Sequence, residues 1–206
     1  MPPIDLDSVD TVLATARSVR RKLDFERPVE RQVILDCIDI ATQAPTGLGG
    51  ESWRFLVVTD GARKQALADL YGAVLDDLAR SRGLEVKPTQ RALVERLHEI
   101  PAMILVCTTA AVPGEGVAGQ VAYYGSILPA AWSLMLALRA RGLGATWTSL
   151  LSSRQQEVAR ILDMPAAAVN TVMLPVAYTK GATLKRADRR PAPEVTFWDA
   201  WGRQEG

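Results

Sequence analysis

From Val121 to Leu138 the chain runs without one charged side chain (VAYYGSILPAAWSLMLAL). This stretch reaches the threshold of about 18 residues for a candidate membrane span, and no other segment constrains the fold as much. Gly125, Ser126, Pro129, Ser133 and several alanines dilute its hydrophobicity, which favours burial in protein over insertion into lipid. A helix that is apolar all round has to be covered on every side. Small residues at Gly125, Ser126, Ala130, Ala131, Ser133 and Ala137 allow another helix to come close. A chain of 206 residues with 48% hydrophobic content supplies one sizeable core. Full cover for such a helix therefore points to a second subunit, and a homodimer is expected.

No Pro/Gly/Ser-rich linker divides the sequence, so residues 1–206 read as a single domain. The formal net charge of +1 gives no long-range attraction to nucleic acid or an anionic membrane, and neither partner is expected. The opening MPPIDLDSVD lacks the basic flank and apolar run of a secretory signal. Cys37 and Cys107 sit among apolar residues, as buried reduced thiols do. Together these features point to a cytoplasmic protein.

Ser8 or Asp7 can cap a short helix through Ala14. Pro28 opens a second helical pattern whose apolar positions Val33, Ile34, Cys37, Ile38 and Ala41 recur at helical spacing. The run Pro45-Thr46-Gly47-Leu48-Gly49-Gly50 is a loop, and WRFLVVT (53–59) reads as a strand. Two amphipathic helices follow, about 62–82 and 89–99. AMILVCTT (102–109) fits a strand buried on both faces. After the long apolar helix come strands at ATWTSL (145–150) and TVMLPVA (171–177), with a capping box at Ser153 and Gln156 opening a helix to Leu162. A central sheet with helices on both sides accounts for this order.

The densest positive group is Arg17, Arg20, Arg21 and Lys22, with Ser18 among them. Guanidinium forks and a hydroxyl suit phosphate binding; a solvated basic turn is the plainer alternative. A second basic group, Lys180, Lys185, Arg186, Arg189 and Arg190, is either a flexible tail or a further contribution to one phosphate site. The segment Gly114 to Gly119 matches a dinucleotide-binding Gly-x-Gly-x-x-Gly pattern. However, four residues separate it from the preceding strand, and the ribose-binding acid is missing after it. A loop beside the active site is the better reading. His98 is the sole histidine and gives no support to a hydrolytic triad. The five tryptophans read as packing residues rather than stacking platforms, with Trp147, two residues before Ser149, the one candidate to lie near a cofactor.

RSVRRKLDFERPV, then a helix, then QAPTGLGGESWRFLVV resembles the opening of the nitroreductase family. PAMILVCT, the alanine-rich helix, RARGLGATWTSL and ADRRPAPEV follow in that family's order, so the resemblance spans about residues 8–196. It implies an α+β fold, a central mixed β-sheet flanked by helices, with FMN at the interface of a homodimer. It implies that Arg17, Ser18, Val19 and Arg20 contact the FMN phosphate and the N1/O2 edge of the ring. Pro45, Thr46, Gly47 and Gly49 correspond to the loop that packs on flavin, and Ser149 and Leu150 to the segment facing flavin N5. Arg189 or Arg190 corresponds to a C-terminal phosphate ligand.

The activity implied is an oxidoreductase passing electrons from NAD(P)H, as co-substrate, through flavin N5 to a nitroaromatic, quinone or other small acceptor by a ping-pong mechanism. No residue of the chain is expected to act as catalytic acid or base. The alternative is a flavin-binding storage or sensor protein without turnover. The chain departs from the family at Ala16, where a further basic residue is common. It departs again at Gly49 and Glu51, which stand in place of amide side chains.

Overall fold

The computed structural model describes residues 3–47, 50–114 and 116–204. Its elements in chain order are α1 (Leu6–Thr15), β1 (Leu23–Asp24), α2 (Arg31–Ala41), β2 (Trp53–Val58), α3 (Gly61–Arg82), α4 (Pro88–Glu95), β3 (Ala102–Thr108), α5 (Val117–Ala140), β4 (Leu143–Ala145), α6 (Gln155–Leu162) and β5 (Val169–Thr179). The chain forms two compact units, Ala16–Ala182 and a smaller one of Met1–Thr15 with Thr183–Gly206.

The larger unit is built on a five-stranded sheet of order β1-β5-β3-β2, with β4 also paired to β5. A mixed sheet is the expectation from the resemblance; every pairing among the described residues is antiparallel. All seven residues of β3 are buried, because helices cover both sides of the sheet. Ile104 and Val106 join a core with α2 and α5, through Ile34, Cys37, Ala130, Leu134 and Leu138. Met103, Leu105 and Cys107 point into a second core with α3, α4 and α6, through Leu67, Tyr71, Leu93, Val158 and Leu162. The period-2 alternation of a strand thus feeds two separate helical layers.

The long apolar run becomes α5, a 24-residue helix with Pro129 inside it. By length and composition it passes for a membrane span, yet its second half is the packing core of the α2 side of the sheet. Pro129 has no N–H, so the carbonyl of Gly125 one turn earlier lacks its helical donor.

Three local expectations are corrected. The strand placed at 145–150 lies earlier, at Leu143–Ala145; beyond it only Thr148 bridges Met173. The ladder breaks opposite Pro175, which accepts the Thr146 N–H at 3.2 Å but has no N–H to return, while on the other edge of β4 the N-terminal segment's Val19 N–H donates to the Ala145 carbonyl at 2.9 Å. Gly144 is what lets that segment so close, since a Cβ there would lie 2.8 Å from Leu23 Cδ2 and 3.1 Å from Val19 Cβ. The Ser153–Gln156 capping box does not form. A 3-10 turn, Leu150–Arg154, precedes α6, and the Ser153 hydroxyl donates to the Leu150 carbonyl. At α1 the capping side chain is Asp5, which accepts from the Ser8 N–H and hydroxyl, rather than Ser8 or Asp7.

Candidate functional site

The basic segment is an ordered ribbon fastened to β4 and β5, not a free turn. Val19 is buried, its N–H donates to Ala145, and its carbonyl accepts from the Thr146 hydroxyl at 2.7 Å. With both backbone groups and its side chain turned to the protein, Val19 fastens the segment rather than facing outward. The Ser18 hydroxyl accepts the Trp147 N–H at 3.0 Å, which leaves its own proton free to donate. Further on, the Lys22 carbonyl accepts from the Lys180 N–H, and the Lys22 ammonium donates to the Gly181 carbonyl. Lys180, from the second basic group, therefore does meet the first. Its partners are backbone atoms and Glu26, 4.0 Å away.

Ser18 and Trp147 open onto a cleft of about 570 Å³ along α5, lined also by Tyr124, Gly125, Leu128, Pro129, Trp132 and Met135. The described lining is apolar and aromatic, with two hydroxyls and no carboxylate, histidine, lysine or cysteine. Such a wall offers flat contact surface and little acid–base chemistry. Arg20 is half-buried and has no hydrogen-bond or ion-pair partner among the described residues. A partly desolvated cation without a partner is costly, and an anion placed beside it removes that cost. Arg17 is exposed.

Of the pair Ser149 and Leu150, Leu150 already gives its N–H to the Thr148 hydroxyl at 3.3 Å. Ser149 is exposed, and its main-chain N–H has no acceptor among the described residues. The donor available to a ligand there is thus Ser149. Pro45, Thr46 and Gly47 are exposed, and the Gly47 N–H donates to the Ser126 hydroxyl on α5 at 2.8 Å. That tether carried no signal in the sequence. Gly49 lies outside the described residues; Glu51 is exposed. Arg189 and Arg190 belong to the smaller unit, where both are exposed and the Arg189 guanidinium donates to the Asp188 carbonyl.

No thiol lines this cleft among the described residues. Cys37 and Cys107 are both buried and reduced. Burial pushes the Cys107 thiol up to about 12 and raises that of Cys37 in the same direction, which suppresses the reactive thiolate.

An antiparallel sheet between two helical layers, with an apolar aromatic cleft along its central helix, defines the class as a nitroreductase-like α+β protein. The chain belongs to the nitroreductase family, whose model matches residues 13–178. It is 33% identical to a 5,6-dimethylbenzimidazole synthase of Rhodospirillum rubrum over 175 residues, 78% of this chain and 76% of that protein. It is 28% identical to an iodotyrosine deiodinase of Thermotoga neapolitana, over 81% of this chain and 86% of the relative. The crystal structure of an iodotyrosine deiodinase bound to FMN and 3-iodo-L-tyrosine superposes with a TM-score of 0.69 at 21% identity, covering 91% of this chain and 98% of the other.

Proposed function

We propose that this chain is an FMN-dependent oxidoreductase, working as a homodimer, that takes electrons from NAD(P)H and passes them to a small organic acceptor in a ping-pong cycle. The observation that carries this reading is the cleft itself. Ser18 and Trp147 are held side by side on an aromatic wall with no carboxylate, histidine, lysine or cysteine among its described lining residues. A wall of that kind positions a group that brings its own chemistry.

The residues present fit FMN. The cleft offers Trp147, Trp132, Tyr124 and Met135 to a planar ring, and the Ser149 N–H and Ser18 hydroxyl are donors for its polar edge. Arg20, uncompensated within the described chain, and the exposed Arg17 suit the phosphate and the electron-rich side of the ring. Arg189 and Arg190 enter this reading through the family resemblance alone. When bound, FMN would supply two-electron redox chemistry that no side chain of the cleft offers. The protein's part is to bind and orient both reactants, and to leave proton delivery to water. In support of the FMN reading, the named relatives include a deiodinase structure that contains FMN. Their differing activities, a synthase and a deiodinase, leave the acceptor to experiment.

The test is anaerobic titration of the FMN-loaded protein with NADH and NADPH, followed by addition of a quinone, a nitroaromatic or an iodophenol. Bleaching of the visible flavin band by one pyridine nucleotide, and its return on adding one acceptor, is the expected result. Protein that stays oxidised with both nucleotides contradicts the enzyme reading and leaves a flavin-binding protein without turnover.

A further inference from the structure

α2 ends at Ala41, and the chain then passes α5 at Gly47 before β2 begins at Trp53. Among the described residues of this crossing, only Gly47 is hydrogen-bonded to α5. Its N–H donates to the Ser126 hydroxyl at 2.8 Å, and that hydroxyl donates in turn to the Ala122 carbonyl at 2.7 Å. The fit is close on both sides. A Cβ on Gly47 would lie 2.7 Å from Ser126 Oγ, a distance no side chain tolerates without displacement of one partner. Ser126 adjoins Gly125, which lines the cleft with Ser18 and Trp147. The turn that follows is held locally, by the Gly50 N–H on the Gly47 carbonyl at 3.2 Å. Ser126 thus ties the loop carrying Pro45, Thr46 and Gly47 to the same helix whose next residue back, Gly125, lines the cleft.

We propose that Ser126 is a positioning residue: its hydroxyl pins the Pro45–Gly47 segment against α5 and so sets the mouth of the cofactor and acceptor cleft. This rests on the FMN reading above. The hydroxyl is suited to the task, since it accepts from the loop while its own proton is spent on the helix, which fixes the lone pair toward Gly47. Removing it orphans one backbone N–H without opening the core, because Ser126 is only half-buried. Alanine is also the better helix former, so the substitution leaves folding intact.

The test uses Ser126→Ala, Ser126→Thr, Gly47→Ala and the double variant, with three readouts. Amide exchange at Gly47 needs no cofactor. It should be protected in the wild type and in Ser126→Thr, and about tenfold faster in Ser126→Ala, what one net hydrogen bond amounts to. FMN affinity and acceptor KM should weaken about five- to tenfold in Ser126→Ala, with kcat nearly unchanged and Thr restoring both. Gly47→Ala should likewise weaken FMN affinity and acceptor KM by displacing the loop. The double variant should be no worse than either single one, because loss of the hydroxyl relieves the clash. Equal FMN affinity and KM in wild type and Ser126→Ala overturns the proposal while the FMN reading stands. An additive double variant, or loss of affinity accompanied by a matching fall in Tm, also overturns it. A wild type that binds no FMN overturns both.

Discussion

Up to Leu138, the two halves of α5 are both free of charge and meet opposite fates. From Ile127 to Leu138 the helix is core: Ile127, Ala130, Ala131, Leu134, Met135, Ala137 and Leu138 are all buried against the sheet and α2. From Val117 to Ser126 the run is uncharged but more polar, with Gln120, Ser126 and two glycines, and its valines face outward, Val117 76% exposed and Val121 65%. An uncharged run says that a helix needs cover on all sides; it does not say which cover. In the second half the chain's own strands provide it. In the first half the cover is left to other molecules, and our reading assigns it to a second copy of the chain, with the FMN cleft straddling the two halves from Tyr124 to Met135.

That contrast can be broken at its strong end first. Leu134→Ala, in the buried half, should cost about 2–5 kcal/mol, the range for a large core side chain cut to a methyl, measured by urea denaturation. A loss below about 1 kcal/mol would mean that this half is not the packing core. Gly144→Ala should cost about 1–3 kcal/mol by overpacking, because the added methyl meets Leu23 and Val19. It should also loosen the ribbon that brings Ser18 to Trp147, so FMN affinity should fall more than a core cavity of equal cost would make it fall. Val121→Asp, in the exposed half, should leave the unfolding free energy within about 0.5 kcal/mol when compared as monomer. Sedimentation should show it shifting a homodimer toward monomer. A Val121→Asp variant that stays a stable dimer would remove the second copy from that half of the helix.

The smallest effect lies away from both halves. The Tyr178 hydroxyl donates to the Glu30 carboxylate, and this bond, helped by Arg27, holds Glu30 below its ordinary value. Because the folded-state value is depressed, the stabilisation is present above the unfolded carboxylate range and is lost as pH falls through the depressed one. Glu30 is exposed, so the gain is small. Unfolding curves of wild type and Glu30→Gln should differ slightly at neutral pH and converge in acid. A difference that grows on acidification would reverse the sign of this account.

How much could be read in advance follows the range of the interactions. β3 and α5 were legible because each is a long apolar run, and no neighbour is needed to recognise one. The two-sided burial of β3 also followed from its unbroken character. The β4 boundary did not follow, because it is set by Pro175 on the facing strand, which has no N–H for Thr146, and not by the propensities of ATWTSL. The capping box at Ser153 failed for a similar reason, since the Ser153 hydroxyl turned back to the Leu150 carbonyl of the 3-10 turn. At the candidate site, the basic segment and Trp147 each stood out in the sequence. Their meeting did not, because the Ser18–Trp147 bond joins residues 129 apart. The Gly47–Ser126 tether was hidden in the same way, since a glycine in a loop and a serine in a helix are each unremarkable alone.

The central claim is that the cleft shared by α5, Ser18 and Trp147 holds flavin. Its most direct test is titration of the apoprotein with FMN, followed by quenching of flavin fluorescence, for the wild type and for Trp147→Ala. Saturation at one FMN per chain, with affinity about tenfold or more weaker in the variant on loss of its stacking surface, is the expected result. A wild type that fails to quench FMN, or a Trp147→Ala variant that binds it equally well, would contradict the account.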